Sequence, residues 1–301
     1  MKILFCSDGS AAAENAVRFG GLIAAGCRAE TTILGICEQT GTEDALVRSL
    51  RRSQELLKQH NLNAELISKA GRPVTEIIKR TRETTYDLVV IGAERHPGRT
   101  PALRSVKAYQ IIEAVTPPVL MVLGERPALR RILLCIGSGA RTEKAVELTG
   151  TIASGAQAEV TLFHVLAAPP AVFAGLLQQE EDVGRLLHSD SALGRRLRGQ
   201  QERLKQQGVA CTVRLRHGLV VPELLVELRQ TEYDLVVAGS SPARDPLRAY
   251  MLGNVTRDIV NHAEWPVLIV RTGGDAPSWS DFVKLLFNEP SPRSKTLHPE
   301  P

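Results

Sequence analysis

The sequence lacks any apolar run long enough to span a membrane. Its most apolar late stretch, residues 166–177, contains Pro169-Pro170 and is far shorter than the roughly 20 residues that a membrane helix needs. The apolar run near the amino terminus, Ile3–Cys6, ends at Ser7-Asp8-Gly9, which argues against a secretory signal peptide. We therefore expect a cytoplasmic protein with no membrane partner.

Cysteine pairs and a strong charge imbalance are also lacking. The five cysteines form no C-x-x-C pair and have no histidine at ligand spacing, which argues against a metal site or a redox motif. Cys6 and Cys135 lie in apolar runs, where a free cysteine usually behaves as a small buried hydrophobe. The net charge of +4 is too small to indicate a nucleic-acid partner.

What the sequence does contain is a long internal duplication. Residues Ile3–Cys6 return as Ile132–Cys135, and Tyr86–Gly92 return as Tyr233–Gly239. A repeat of this length indicates a duplicated domain, because solenoid units repeat every 20–50 residues or so. The offset grows from 129 to 147 residues between these two pairs, so the second copy contains about 18 extra residues, between Val165 and Leu215.

Each copy alternates short apolar runs with helical patterns. Strands that are apolar at every position predict a parallel sheet covered by helices on both faces. The fold class is therefore α/β, with two tandem open parallel five-stranded sheets of Rossmann-like type. For the first copy, the predicted strands are Ile3–Cys6, Thr31–Cys37, Ala64–Ser68, Leu88–Ile91 and Val119–Leu123, and the predicted helices are Ala11–Ala25, Asp44–His60, Val74–Arg82 and Val106–Val115.

The chain is expected to divide into residues 1–124, residues 131–271 and a tail, 272–301. Glycine and proline become frequent after Arg271, which predicts a largely disordered tail. Residues 281–287 are apolar enough to form a turn or two that docks elsewhere.

Ligands of open parallel sheets bind beyond the carboxyl ends of the strands. In the first copy, Asp8 follows strand one, Gly92 follows strand four, and Ser105 precedes the last helix. The corresponding residues of the second copy are Gly137, Gly239 and the run Gly253-Asn254-Val255. A glycine at a helix start lets main-chain N–H groups approach a phosphate, where the helix dipole favours negative charge.

Taken together, these elements resemble a tandem universal stress protein with two UspA-type domains. The residues that carry the resemblance are Ile3–Ser10, Gly71-Arg72-Pro73, Tyr86–Gly92, Tyr233–Gly239, Gly253–Thr256 and the two Pro-Val-Leu-x-Val endings. The resemblance covers about residues 1–123 and 131–271. It implies that the fifth strands, Val119–Leu123 and Val267–Val270, pair within one chain as a pseudo-dimer, with a further homodimer left open.

The ATP-binding branch of that family has the pattern Gly-x2-Gly-x9-Gly-Ser/Thr after strand four. The first copy has Arg95 and Arg104 for two of these glycines, and the second has Pro242 for one and Asn254 for the serine. Two or three lost contacts at about 1–1.5 kcal/mol each would weaken a micromolar site to roughly millimolar affinity. The resemblance thus implies two degenerate ATP sites, whose expected cofactor-binding residues are Asp8, Gly92, Ser105, Val165, Gly239, Gly253, Asn254 and Val255.

These observations lead to a non-catalytic stress-response regulator that binds adenine nucleotide, with a protein partner of unknown identity. The alternatives are a nucleotide-free interaction module and a weak ATP-binding protein with slow ATP hydrolysis. No Ser/His/Asp arrangement, paired carboxylates or metal-ligand spacing suggests other chemistry. Asp8 is either the N-cap of the first helix or a nucleoside ligand. His164 is expected to be a packed core histidine rather than a base.

Overall fold

The computed structural model describes residues 1–38, 43–94, 106–137, 142–167, 183–240 and 255–271. The first half contains β1 (Lys2–Ser7), α1 (Ala11–Gly26), β2 (Glu30–Cys37), α2 (Glu43–Lys58), β3 (Ala64–Ala70), α3 (Pro73–Glu83), β4 (Leu88–Ala93), α4 (Val106–Ala114) and β5 (Val119–Leu123). The second half contains β6 (Arg131–Cys135), α5 (Glu143–Ala156), β7 (Glu159–Leu166), α6 (Val183–His188), α7 (Ala192–Gln206), β8 (Cys211–His217), α8 (Val220–Gln230), β9 (Leu235–Ser240), α9 (Val255–His262) and β10 (Val267–Arg271). The strands and helices predicted from the sequence are confirmed to within a few residues at their ends. The short helix α6, in the extra segment of the second copy, was not predicted.

The ten strands in the described residues form one sheet, in the order β3-β2-β1-β4-β5-β10-β9-β6-β7-β8. Strands run parallel within each half, and the halves meet where β5 pairs antiparallel with β10. In that pair Leu268 lies opposite Leu120, and both side chains are fully buried. The predicted fold, two parallel five-stranded sheets paired through their fifth strands, is confirmed.

The two halves also meet through helices α1 and α5, close to the pseudo-twofold axis. A Cβ atom added to Gly26 would lie 2.6 Å from the main-chain carbon and oxygen of Gly155, and the reverse substitution meets the same contact. These glycines occupy equivalent positions in the two copies, as do Leu120 and Leu268. The absence of side chains at Gly26 and Gly155 therefore lets the two helices touch through their backbones.

Hydrophobic residues pack on both faces of the sheet. Alternate residues of a strand point to opposite faces. Ile3 and Phe5 belong to the cluster that includes residues of α1, α2, α5 and α7, whereas Leu4 belongs to the cluster that includes residues of α3, α4, α8 and α9. Both clusters include strand and helix residues from both halves. This continuous packing joins the halves into one layered unit.

One buried polar contact has opposite polarity in the two copies. In the first, Arg80 Nε donates to the hydroxyl of Tyr86 over 2.8 Å. In the second, the hydroxyl of Tyr233 donates to Glu227 Oε1 over 3.0 Å, and Arg216 donates two hydrogen bonds to Glu227 Oε2, over 2.8 and 2.9 Å. Glu227 is only 2% exposed, so its charge depends on these donors.

Among the described residues, no helix is long and apolar enough to cross a membrane. The division into residues 1–124 and 131–271 follows the two half-sheets and remains a proposal. The expected tail, 272–301, lies outside the described residues.

Candidate functional site

A crevice opens at the carboxyl ends of β1, β2 and β4, where the sequence places a ligand site. Its volume is about 110 Å³. Polar groups come from Ser7, Asp8 and Glu38, and Gly92 lies at the end of β4. The other lining residues are Cys6, Ala13, Ile36, Pro73, Ile77, Ile91, Ala108 and Ile111. The structure thus brings together two of the predicted site residues, Asp8 and Gly92, in a largely apolar crevice.

Asp8 does not cap helix α1. The capping residue is Ser10, whose Oγ accepts a hydrogen bond from the main-chain N–H of Ala13 over 3.2 Å. Asp8 Oδ1 instead accepts the main-chain N–H of Ser10 over 3.0 Å, the pattern of an Asx turn. Of the two interpretations of Asp8, the N-cap is wrong because Ser10 already occupies that position. Asp8 is exposed beside the crevice, where its role as a nucleoside ligand remains a proposal.

Gly92 is required by packing even without a ligand. A Cβ atom at this position would lie 2.3 Å from the main-chain oxygen of Ala12 and 2.6 Å from the main-chain nitrogen of Ala13. The end of β4 therefore passes directly against the start of α1, an approach that only glycine permits. Its presence is explained without a phosphate, which lowers its value as evidence for nucleotide binding.

Sequence analysis missed Glu38, the second carboxylate of the crevice. It directly follows β2, one of the strand ends at which a ligand site was expected, and its position alone could have identified it. Glu38 is exposed, as is Asp8. Both carboxylates line the same crevice, which therefore presents negative charge to a ligand.

Three predicted residues of the second copy, Val165, Gly239 and Val255, lie at the corresponding edge of the sheet. Val165 is half-buried near the end of β7, Gly239 pairs with Val270 in β10, and Val255 begins α9 with 37% of its surface exposed. A Cβ atom at Gly137, which replaces the acid of the first copy, would meet no atom within 4 Å. A side chain would therefore fit at position 137, and crowding does not explain why the second copy has glycine there. The predicted residues Ser105, Gly253 and Asn254 lie outside the described residues.

His164 is a packed core histidine, as predicted. It is buried, and its Nδ1 lies 2.6 Å from the main-chain oxygen of Ile136, so Nδ1 carries the proton and donates it. Burial lowers the pKa of His164; the bond to Ile136 raises it, and the charge of Arg196 lowers it further. The imidazole is therefore neutral at pH 7, and its one N–H forms the hydrogen bond to the main-chain oxygen of Ile136.

The cysteines behave as hydrophobic core residues. None of the five forms a disulfide, and burial raises the pKa of Cys135 to about 12 and that of Cys6 far above its ordinary value. Thiols with such pKa values stay protonated at neutral pH and are poor nucleophiles. In the part of the chain that the structure describes, no group of three potential metal ligands comes together.

Comparison with known proteins agrees with this architecture. The family model described as the universal stress protein family matches residues 1–122 and again 128–271. A universal stress protein from Archaeoglobus fulgidus superposes with a TM-score of 0.65 at 15% identity, covering 90% of this chain and 98% of its own. A functionally unknown protein from Pseudomonas aeruginosa gives 0.63 at 16% identity, covering 95% of each chain. No curated protein matches the sequence. With two matches that together span most of its length, the chain belongs to the universal stress protein family and carries the family's domain twice in tandem.

Proposed function

We propose that this protein is a non-catalytic stress-response regulator that acts in the cytoplasm and binds adenine nucleotide weakly in degenerate crevices. The observation that carries the proposal is the crevice at the carboxyl edge of the sheet, which Asp8 and Glu38 line. In open α/β sheets this edge, where the strand order reverses, is where ligands bind. The order β2-β1-β4 places the reversal at the crevice itself.

The dimensions and charge of the crevice support weak rather than tight binding. Its volume of about 110 Å³ is below the roughly 300–1,000 Å³ typical of small-molecule sites. Asp8 and Glu38 can accept hydrogen bonds from ribose hydroxyl groups, but two carboxylates repel a nearby phosphate. We therefore expect the nucleoside to approach these acids, and the phosphates to depend on Ser105 and the start of α4.

The described lining of the crevice supplies no cationic group for turnover. Phosphoryl transfer needs cationic groups or metal ions to neutralise the charge that develops on the phosphate. Among the described residues that line this crevice there is no lysine, arginine or histidine. Arg95, His96 and Arg104 follow β4 in the sequence but lie outside the described residues, so a slow hydrolysis of ATP stays an alternative.

The interaction-module alternative is favoured by one observation in the second copy. Leu219, which precedes α8, is 74% exposed, and its neighbour Val220 is 42% exposed. The first copy has Arg72 and Pro73 at these positions, so the apolar surface belongs to the second copy alone. An exposed apolar pair of this kind contacts a protein partner more favourably than it contacts a nucleotide phosphate.

The test is to denature freshly purified protein, identify any released nucleotide by mass spectrometry, and titrate emptied protein with ATP by calorimetry. We expect little retained nucleotide and an affinity near millimolar. Asp8→Asn should abolish binding if the first crevice is the site, and Gly253→Arg should abolish it if the second is. Glu55→Gln, an exposed acid on α2, is the control. If ATP at millimolar concentration gives no heat, the nucleotide proposal fails and the interaction module replaces it.

A further inference from the structure

A second cavity, of about 670 Å³, lies between α1, α2 and the linker that joins the two halves. It shares no residue with the crevice that Asp8 and Gly92 line, which we call the nucleotide crevice. Three arginines line it, Arg18, Arg52 and Arg126, and we call it the arginine groove. Its volume falls within the roughly 300–1,000 Å³ of small-molecule sites, unlike that of the crevice.

Two of the arginines are positioned by a shared carboxylate. Arg18 Nη2 lies 2.7 Å from Glu14 Oε1, and Arg52 Nε lies 3.2 Å from Glu14 Oε2. One negative charge thus holds two guanidinium groups, each of which has five N–H donors. Even with the second acid of the groove, Glu125, the arginines outnumber the carboxylates. The groove can therefore accept further negative charge.

The third arginine has an unsatisfied donor. Arg126 Nη2 donates to the main-chain oxygen of Glu264 over 3.3 Å, which fixes the guanidinium near the linker. Its Nε is buried and has no hydrogen-bond acceptor among the described residues. A buried charged donor without an acceptor is unfavourable. An anion bound in the groove would lie beside this guanidinium and offset its positive charge.

The second copy shows that the fold does not require these residues. The positions equivalent to Arg18 and Arg52 are Glu147 and Gly199, and the linker occurs only once in the chain. Leu22, an apolar residue of the groove, corresponds to Thr151. The combination of arginines and apolar side chains is therefore specific to the first copy.

We propose that the arginine groove binds a small organic phosphate with an apolar substituent. Guanidinium groups match the geometry of phosphate oxygens, and a phosphate monoester offers several oxygens that accept hydrogen bonds from the arginines of the groove. Leu22 and Leu56 line the same groove and provide apolar contacts for the substituent. This site is independent of the nucleotide crevice.

The experiment is a calorimetric titration of the full chain with phenyl phosphate, compared with inorganic phosphate and with phenol. Phenyl phosphate should bind more tightly than either, because it alone carries both the phosphate and the apolar ring. Arg52→Gln should weaken binding roughly tenfold by removing a charge-assisted contact. Arg52 is the decisive position because its side chain is 66% exposed, so its replacement leaves the fold intact. Arg126→Gln should weaken binding similarly.

Two control variants separate this site from others. Arg203→Gln removes an arginine from the second copy, and Asp8→Asn alters the nucleotide crevice; neither should change the affinity for phenyl phosphate. The proposal is overturned if Arg52→Gln binds as tightly as the wild-type chain, or if no binding occurs at millimolar phenyl phosphate. Equal affinity for inorganic phosphate would refute the apolar substituent. Loss of binding in Asp8→Asn would place the ligand in the crevice instead.

Discussion

Replacing Gly155 by alanine should destabilise the protein through the contact between its two halves. The added Cβ atom would lie 2.6 Å from the main-chain carbon and oxygen of Gly26. Both are backbone atoms at the end of α1, so no side-chain rotation can relieve the overlap. Helices α1 and α5 must move apart, which disturbs the packing next to the β5–β10 pair.

The magnitude follows from a matched control, Gly199→Ala in α7. An alanine gains about 0.5–1 kcal/mol over glycine inside a helix. A Cβ atom at Gly199 meets nothing within 4 Å, so this variant should show the gain alone. Gly155→Ala should show the same gain minus an overpacking cost of about 1–3 kcal/mol. The difference between the two variants therefore isolates the cost of separating the helices.

The assay is urea unfolding followed by far-ultraviolet circular dichroism. Gly199→Ala should unfold at a higher urea concentration than the wild-type chain, and Gly155→Ala at a lower concentration than Gly199→Ala. A double variant, Gly26→Ala with Gly155→Ala, should cost less than the sum of the single variants, because one separation accommodates both methyl groups. Equal midpoints for Gly155→Ala and Gly199→Ala would refute the backbone contact.

Three further substitutions test other parts of the fold. Leu268→Lys places a charge opposite the fully buried Leu120, and should cost about 3–5 kcal/mol and split the urea transition as the halves separate; one unchanged cooperative transition would contradict this. Glu227→Gln should cost about 1–3 kcal/mol by weakening a buried ion pair, while the same change at the exposed Glu232 has no effect on the urea midpoint. His164→Asn concerns pH. Burial lowers the pKa of His164 below its ordinary 6.5, so the unfolded chain binds a proton before the folded chain does. The contribution of neutral His164 to the free energy of unfolding is therefore present above about pH 6.5 and is lost as the pH falls through the folded pKa. Unfolding free energies measured from pH 8 to pH 5 should fall less steeply for His164→Asn than for the wild-type chain, and parallel curves would count against the assignment.

The sequence predicted the helices and strands because they depend on local patterns. Strands such as Val119–Leu123 are apolar at every position, and that pattern requires cover on both faces. The pairing of β5 with β10 came from the family resemblance. It also has a physical reason, since pairing removes two sheet edges that otherwise invite aggregation. Boundaries differed by a residue or two, where helix ends depend on contacts that a pattern does not contain.

The candidate site was less predictable because the same residue type can serve either a structural contact or a ligand. Asp8 and Ser10 are both good capping residues, and only the geometry shows that Ser10 caps α1 while Asp8 forms the preceding turn. Gly92 matches a phosphate-loop pattern, yet the backbone of Ala12 already excludes any side chain there. The turn at Asp8 and the close backbone contact at Gly92 both arise from the packing of β1, β4 and α1 against one another, which the order of residues along the chain does not show.

Comparison of the two copies in sequence also fails to show which contacts persist. The contacts of the two equivalent tyrosines, which have opposite hydrogen-bond polarity, are the example. Tyr86 and Tyr233 match in sequence, whereas their partners, Arg80 and Glu227, have opposite charges. A buried tyrosine hydroxyl needs a hydrogen-bond partner, and it can accept from a guanidinium or donate to a carboxylate. The carboxylate then needs cations of its own, which Arg216 supplies from β8. A substitution that looks like a loss of the equivalent residue therefore preserves the contact, because what persists between the copies is the requirement for a polar partner and not the charge that meets it.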